Sequence, residues 1–484
     1  MKKTILLILG LVSINLNAQN EIDALRYSTQ NIFGTAKFNS MGGSFGSLGG
    51  DFSTLSYNPA GIAFYNNSEI SFTPSLNMNE TNTSLNGNNF TNNNFGANIS
   101  NFGFIAKGIN DNQQWKRVNI GFGWNQLANY NSIFHSQTLN STSSLAETFL
   151  YQAEGTLINE LNSFGASPAF WSDLIDLQNN FVDTATGWYA FDNGNYVSNV
   201  NPYSEKTQIH HSITEGNMGE YVFSLGSSFE ENIYFGATIG IPTIQYSEKN
   251  TYSESNFSDT NQNLNSFTYK DQLNAYGSGV NLKLGVIMRV GENTKIGGAV
   301  HSPSYISMEE EYSTGISTDW GNNESIEEIS PLGYFTYEIT TPWKVIVSAS
   351  TVLNKQFLIS AEIEKTDYSF SRFHSDYYQF TEENNLINDT YTTATNIRLG
   401  GEANFHPLKL RAGYALYGSP YKDREEFETE NYSAGIGVDF GSTFLDMSYT
   451  ISKNNSEYNI YSSENATDVS NEKHYLMFTL GFRY

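Results

Sequence analysis

Apolar and polar residues alternate with a period of two along much of this chain. That pattern predicts β-strands with two unlike faces. The C-terminus shows it most clearly: Leu476, Phe478, Leu480, Phe482 and Tyr484 share one face, and Tyr475, Met477, Thr479, Gly481 and Arg483 share the other. Phe235, Ile239 and Ile241 likewise oppose Tyr234, Thr238 and Gly240, and Leu282, Leu284 and Val286 oppose Asn281, Lys283 and Gly285. Strands are predicted near 68–79, 94–108, 115–131, 217–230, 231–248, 266–291, 293–311, 333–353, 355–373, 389–405, 406–418, 429–441, 442–459 and 471–484. The links between them alternate in length. Glu230-Glu231, Gly291-Glu292-Asn293, Asn354, His406-Pro407 and Gly441-Ser442 are tight, whereas the intervening links are long and rich in Asn, Ser, Thr and Glu.

One such strand could belong to a soluble sandwich with a wet outer face. Short turns at one end, long loops at the other and a chain that stops inside an alternating, aromatic strand point instead to a transmembrane barrel. Inside a bilayer every backbone group must be paired, so a sheet can cross only if it closes. The expected fold is therefore all-β: a transmembrane antiparallel β-barrel over 68–484, with about 14 strands to satisfy the even count. Lys283, Arg289, Arg398, Glu402 and Arg411 all fall opposite the apolar face, where they avoid the roughly 2–4 kcal/mol that a charge costs against mid-membrane lipid.

Two segments depart from the alternation. Residues 19–67 are Gly-rich and without sustained period, long enough to form an N-terminal hatch inside the lumen. Residues 132–217 form a long link in which Leu145, Phe149, Ala153, Leu157 and Leu161 recur at helical spacing, with a second apolar cluster at Phe170, Trp171, Leu174, Ile175 and Leu177. Two short amphipathic helices on an extracellular loop are expected there. The residues proposed to form a ligand groove are Phe149, Leu150, Leu157, Leu161, Phe170, Trp171 and Leu174.

The N-terminus changes the compartment. Met1-Lys2-Lys3, an apolar run from Ile5 to Val12 and a small residue at Ala18 make residues 1–18 a secretory signal, although Leu16 leaves the exact cleavage position open. The run is far below the roughly 20 residues a spanning helix needs, and no later stretch comes nearer than Leu284 to Met288. Aromatic residues are 14% of the chain and cysteine is absent, so neither disulfides nor thiolate metal sites hold the fold. A formal charge of −25, concentrated in loop stretches such as 309–311 and 425–430, argues against nucleic acid as a partner.

The hatch segment carries a recognisable series: Met41-Gly42-Gly43-Ser44-Phe45, Gly49-Gly50-Asp51, then Tyr57-Asn58-Pro59-Ala60-Gly61-Ile62-Ala63. This resembles the N-terminal signature of the FadL-type outer-membrane transporters of long-chain fatty acids and toluene, in which an Asn-Pro-Ala triplet ends the hatch. Looser matches follow at 275–279, 295–303 and Thr341-Pro342-Trp343-Lys344-Val345. The resemblance implies a fourteen-stranded barrel in the outer membrane, surrounded by lipid and lipopolysaccharide, that passively admits fatty acids or aromatic hydrocarbons. The ligand would be caught by an extracellular groove, pass the hatch and leave sideways beside a kink in the third strand. On that basis Asn58, Pro59 and Ala60 are carried over as hatch contacts to the kink, with Gly121 and Gly123 as the positions where bending is easy. An Asn-Pro turn entering a strand would explain the same triplet without a transport role.

Other chemistry finds little support. Gly42 to Gly50 lacks the Lys-Ser/Thr and the βαβ setting of a phosphate cradle. His210-His211 has no third ligand at metal spacing and reads as a loop pair. No nucleophile elbow or zinc-protease motif occurs, so neither an enzyme nor a metal or cofactor site is expected. Lys283, Arg398, Lys409 and Arg411 could meet a ligand carboxylate; equally, they could pair with Glu362, Glu402 or Asp439 across neighbouring strands. The expectation is a monomeric passive transporter. A surface-binding barrel (an adhesin or haem receptor) is the alternative, and an open polar porin is disfavoured by the hatch.

Overall fold

The computed structural model describes residues 20–31, 33–109, 114–178, 194–201, 203–259, 263–321, 324–459, 461 and 466–484. The leader expected at 1–18 lies outside them.

The chain forms a closed antiparallel barrel of 14 strands. They are β1 (Glu69–Leu85), β2 (Asn88–Ile109), β3 (Trp115–Asn129, resuming as Ser132–Ser141), β4 (Lys206–Phe229), β5 (Ile233–Ser255), β6 (Leu264–Val290) and β7 (Thr294–His301, resuming as Tyr305–Trp320). The circuit continues through β8 (Ser325–Ile329, Gly333–Thr340 and Lys344–Leu353), β9 (Phe357–Asp367), β10 (Thr393–Phe405), β11 (Leu408–Tyr417), β12 (Thr429–Asp439), β13 (Thr443–Tyr458) and β14 (Thr467–Arg483). β14 pairs back onto β1 from Glu69↔Arg483 to Ser84↔Asp468, which closes the sheet. At the turn end, Glu230 and Glu231 (φ 50° and 56°) and Asn354 and Lys355 (φ 51° and 56°) supply two successive left-handed residues, the geometry that matches hairpin twist.

The two faces divide as the alternation predicts. Phe478, Leu480 and Phe482 point outward and are exposed, while Met477 (1% exposed) and Thr479 (0%) point inward. No described helix is long and apolar enough to cross a membrane; the apolar belt is made by strands.

Toward the loop end the strands run on past the limits expected from sequence. β1 reaches Leu85, β5 reaches Ser255, and β4 begins at Lys206 rather than near 217. The link expected at 132–217 is correspondingly shorter, because 132–141 and 206–217 are strand. His210 and His211, expected in a loop, sit in β4 opposite Tyr252 and Thr251. Beyond the apolar belt both strand faces are polar, so the ladder continues through its backbone pairing while the side-chain alternation disappears.

The hatch descends through the lumen from the loop end to the turn end. Helix α1 (Glu21–Ser28) carries a capping box from Asn20 and Asp23, and the short α2 (Ala36–Ser40) is capped by Thr35. Two 3₁₀ turns follow, Phe52–Ser56 capped by Asp51 and Pro59–Phe64 capped by Asn58. The hatch is tied to the wall at successive heights: Asn31 N donates to Leu127 O (2.8 Å), Ala36 N to Thr479 Oγ1 (2.7 Å), and Asn119 Nδ2 to Tyr65 O (3.0 Å).

Candidate functional site: a plugged lumen and a break in the wall

The Asn-Pro-Ala seat is built from backbone groups. Asn58 Oδ1 accepts from Ala60 N (3.1 Å), while its Nδ2 donates to Gly46 O (2.5 Å) and reaches Val286 O and Gly298 O at 3.4 and 3.3 Å. The wall meets this turn with glycine: a Cβ at Gly285 would overlap Asn58 Oδ1, and one at Gly236 would overlap the Pro59 carbonyl. Asn58, Pro59 and Ala60 therefore rest on β5, β6 and β7 rather than on the third strand. Gly121 and Gly123 receive a different part of the hatch, the side chains of Leu55, Ile62 and Phe52. Replacing Gly285 by Leu should lift the Asn58 turn off its seat, an overpacking cost of about 1–3 kcal/mol. A lowered urea midpoint, with the folded barrel band retained on an unboiled gel, is the expected readout.

A buried polar latch holds the middle of the hatch. Arg398 Nη1 lies 3.1 Å from Glu362 Oε1 and 3.1 Å from Glu364 Oε2, and the Tyr57 hydroxyl bonds both Arg398 and Glu362. Gly46 N donates to Glu362 Oε2 (2.8 Å), and His301 Nε2 pairs with Tyr57 O (2.6 Å). The remaining cations considered as ligand partners are also engaged. Lys283 pairs with the buried Glu220, Lys409 with Asp439 (3.2 Å), and Arg411 with Glu402 (2.6 Å) and Asp446 (2.5 Å). Arg398–Glu362, Lys409–Asp439 and Arg411–Glu402 are the cross-strand pairs weighed from sequence. Tyr57, Glu220, Glu364 and Asp446 were not singled out there as partners: Glu220 and Asp446 stand two strands from their cations, Tyr57 arrives with the hatch, and Glu364 is a diagonal neighbour of Arg398 that only the β9–β10 register reveals.

Above the latch the lumen is apolar. Met218, Ile244, Tyr246, Ile306, Met308, Tyr337 and Ile339 turn inward and pack with Tyr27 of α1 and with Phe373, Phe380 and Ile387 of the 368–392 link, where Thr381–Thr390 form a helix. Arg26 lies over the Tyr246 ring at 4.3 Å. Burial pushes the Asp23 carboxyl up to about 6, against the downward pull of Arg26. This packed layer differs from the wet interior that alternation suggests, since α1 and the 368–392 link cover the inward face and let it be greasy.

The loop patch closes the same end. Phe149, Leu161, Phe170 and Leu174 are buried in the link's own cluster, with Leu150 packed against it. Leu157 and Trp171 are exposed at its surface. The cluster sits on the upper barrel through Tyr252, Phe267, Tyr269 and Ile316, and Thr318 Oγ1 donates to Ser172 O (2.6 Å).

The wall itself is interrupted. β2 and β3 pair from Ile109↔Arg117 to Asn101↔Asn125 and no further. The β3–β4 register shifts between Gln126 and Ala128, and Gly216 opposite takes φ 119°. The resumed strand, Ser132–Ser141, stays on β4 but leans across the lumen-facing side of β1: Asn79 Nδ2 donates to Ser132 Oγ (3.1 Å) and Thr83 Oγ1 to His135 O (2.5 Å). Among the described residues, Asn88–Ser100 of β2 therefore has no hydrogen-bonded partner on its β3 side, although Phe90 rests edge-on against His135 of the resumed strand at 4.8 Å. The bend lies beyond Gly121 and Gly123, which sit in regularly paired wall. One sequence signal was available: Asn92-Asn93-Asn94 and Asn98 are poor strand formers in a strand position.

A closed wall, a lumen filled by its own N-terminal segment and an unzipped third strand define a plugged barrel with the fold of the FadL-type outer-membrane transporters of hydrophobic compounds. Among solved structures, the chain matches the Pseudomonas putida toluene transporter TodX at 12% identity, with a TM-score of 0.54 over 93% of this chain and 98% of that one. It matches a Pseudomonas aeruginosa FadL homologue at 10% identity, with a TM-score of 0.57 over 93% and 98%. No protein-family model and no curated protein sequence matches the chain, so the likeness is one of fold.

Proposed function

We propose that this protein is a passive transporter of small hydrophobic compounds in the outer membrane, with long-chain fatty acids as its first candidates. The observation that carries this reading is the break between β2 and β3 in a barrel whose axial route is plugged. A plugged lumen disfavours ion flow along the axis, whereas a gap in the wall offers an apolar solute a sideways exit into lipid. The exposed Leu157 and Trp171 supply a first contact on the outside, and the packed apolar layer of the upper lumen supplies an intermediate environment once its side chains part. Each CH₂ removed from water contributes about 0.8 kcal/mol, enough to concentrate a long alkyl chain in such a layer. Nothing along this route requires a nucleophile or a cofactor.

Liposomes bearing the protein should take up tritiated dodecanoate or toluene faster than liposomes bearing an unrelated barrel, with no steady ion current in a planar bilayer. Equal uptake in the two preparations would sink the reading.

A further inference from the structure

The link between β3 and β4 leaves the wall and returns to it at one place, since Ser141, the last residue of β3, pairs with Lys206, the first of β4. Two charged side chains fix that root. Glu254 of β5 accepts from Ser144 Oγ (2.7 Å), from Leu145 N (2.9 Å) and from the Tyr252 hydroxyl (2.7 Å). Lys206 Nζ donates to the carbonyls of Thr142 and Ser143, each at 3.2 Å. Both charged residues are almost wholly buried, at 0% and 1% exposed. A buried charge is tolerated only while its hydrogen bonds are kept, so this end of the link has little freedom to move.

The far edge is held differently. Helices Ala146–Ala153 and Ala166–Trp171 carry the link's apolar cluster across the mouth of the barrel. The same cluster takes in Phe267 of β6 and Tyr461 from the link between β13 and β14, and β6 and β13 stand on opposite sides of the closed sheet. On β7, Thr314 Oγ1 donates to Phe164 O (2.7 Å) and Thr318 Oγ1 to Ser172 O (2.6 Å). These are neutral bonds, roughly half as strong as the charge-assisted ones at the root.

The cluster stands between the outside and the upper lumen. On β5, β6 and β7 its members Tyr252, Tyr269 and Ile316 lie nearer the loop end than Tyr246, Ala275 and Met308 of the packed apolar layer, on the same inward face. Phe149, Phe170 and Leu174 are sealed within it, while Leu157 and Trp171 are exposed at its surface. A solute caught on that surface therefore has the whole cluster between itself and the lumen. We propose that residues 144–178 and 194–201 form a lid, hinged at Glu254 and Lys206 and latched on β7 by Thr314 and Thr318. A hydrophobic solute enters when the latched edge lifts. This inference rests on the transporter reading and adds to it the step of entry.

Because the chain has no cysteine, one engineered disulfide can lock the lid. Ser172→Cys with Thr318→Cys places a thiol on each side of the latch. In liposomes the oxidised variant should take up tritiated dodecanoate no faster than an unrelated barrel, and dithiothreitol should restore the wild-type rate. Phe164→Cys with Thr314→Cys serves if the first pair does not fold or cross-link. Wild-type uptake by the cross-linked form overturns the lid and leaves transport standing. Lifting is also read without transport. Ser172→Cys alone, 0% exposed at its native serine, should react with a soluble maleimide about fivefold faster once Thr314→Val removes one latch bond, the change expected for one neutral hydrogen bond. An unchanged labelling rate overturns the latch even in a protein that takes up nothing.

Discussion

Arg398→Met should cost the folded protein about 3–5 kcal/mol, the penalty for removing one partner from a buried charge cluster. Glu362 (2% exposed) would be left beside Glu364 (2%) and the Tyr57 hydroxyl with no cation of its own, and Glu364 would keep only Lys344, 3.8 Å away. Two carboxylates that cannot reach water repel each other and must either take up protons or move apart. Because Glu362 also holds Gly46 N and Tyr57, any such movement loosens the middle of the hatch. The expected readouts are a lower urea midpoint in lipid and a steady current in planar bilayers where wild type shows none. Neutralising both carboxylates together, as Glu362→Gln and Glu364→Gln in the Arg398→Met background, should recover much of the loss, since the unpaired charge is the main penalty. A midpoint and a current both equal to wild type would show that the cluster does not latch the hatch.

The second large effect concerns passage rather than stability. Asn92 and Asn94 alternate with the outward-facing Phe95 on the unpaired stretch of β2, so their side chains lie on the lumen side of the break. Asn92→Trp with Asn94→Trp should fill that space and bring uptake of dodecanoate into liposomes down to the background of an empty barrel. The cross-strand neighbours on β1, Thr81 and Asn79, keep their backbone pairing, and the other edge has no ladder to disturb, so the unboiled gel band should be unchanged. Undiminished uptake by this folded variant would exclude the break as the exit. The Arg398→Met and Asn92→Trp/Asn94→Trp results separate the two halves of the proposal, since the former acts on the plug and the latter on the wall.

The local pattern of the chain determined a great deal by itself. Whether a residue faces out or in depends on strand parity alone, so Phe478 and Leu480 outward, and Lys283, Arg398 and Arg411 inward, were legible one strand at a time. The count of strands and the tight turns at Glu230-Glu231 and Asn354-Lys355 followed from where alternation stopped and restarted. The hatch was legible as a segment too long and too glycine-rich to be a leader, and its Asn58 turn as a cap followed by proline.

What only the tertiary structure decided are the relations between faces that alternation leaves equivalent. Arg398 could have met a ligand or a carboxylate, and the register of β9 beside β10, together with the descent of Tyr57 through the lumen, chose Glu362 and Glu364. Gly285 and Gly236 read as gaps in a strand until the hatch backbone is seen against them. The upper wall is apolar on its inward face because α1 and the 368–392 link cover it, a fact held in no single strand. The same holds for the break: it exists because β3 leaves β2 for the inner side of β1, and a strand's choice of neighbour is a property of the closed sheet, which no period along one strand encodes.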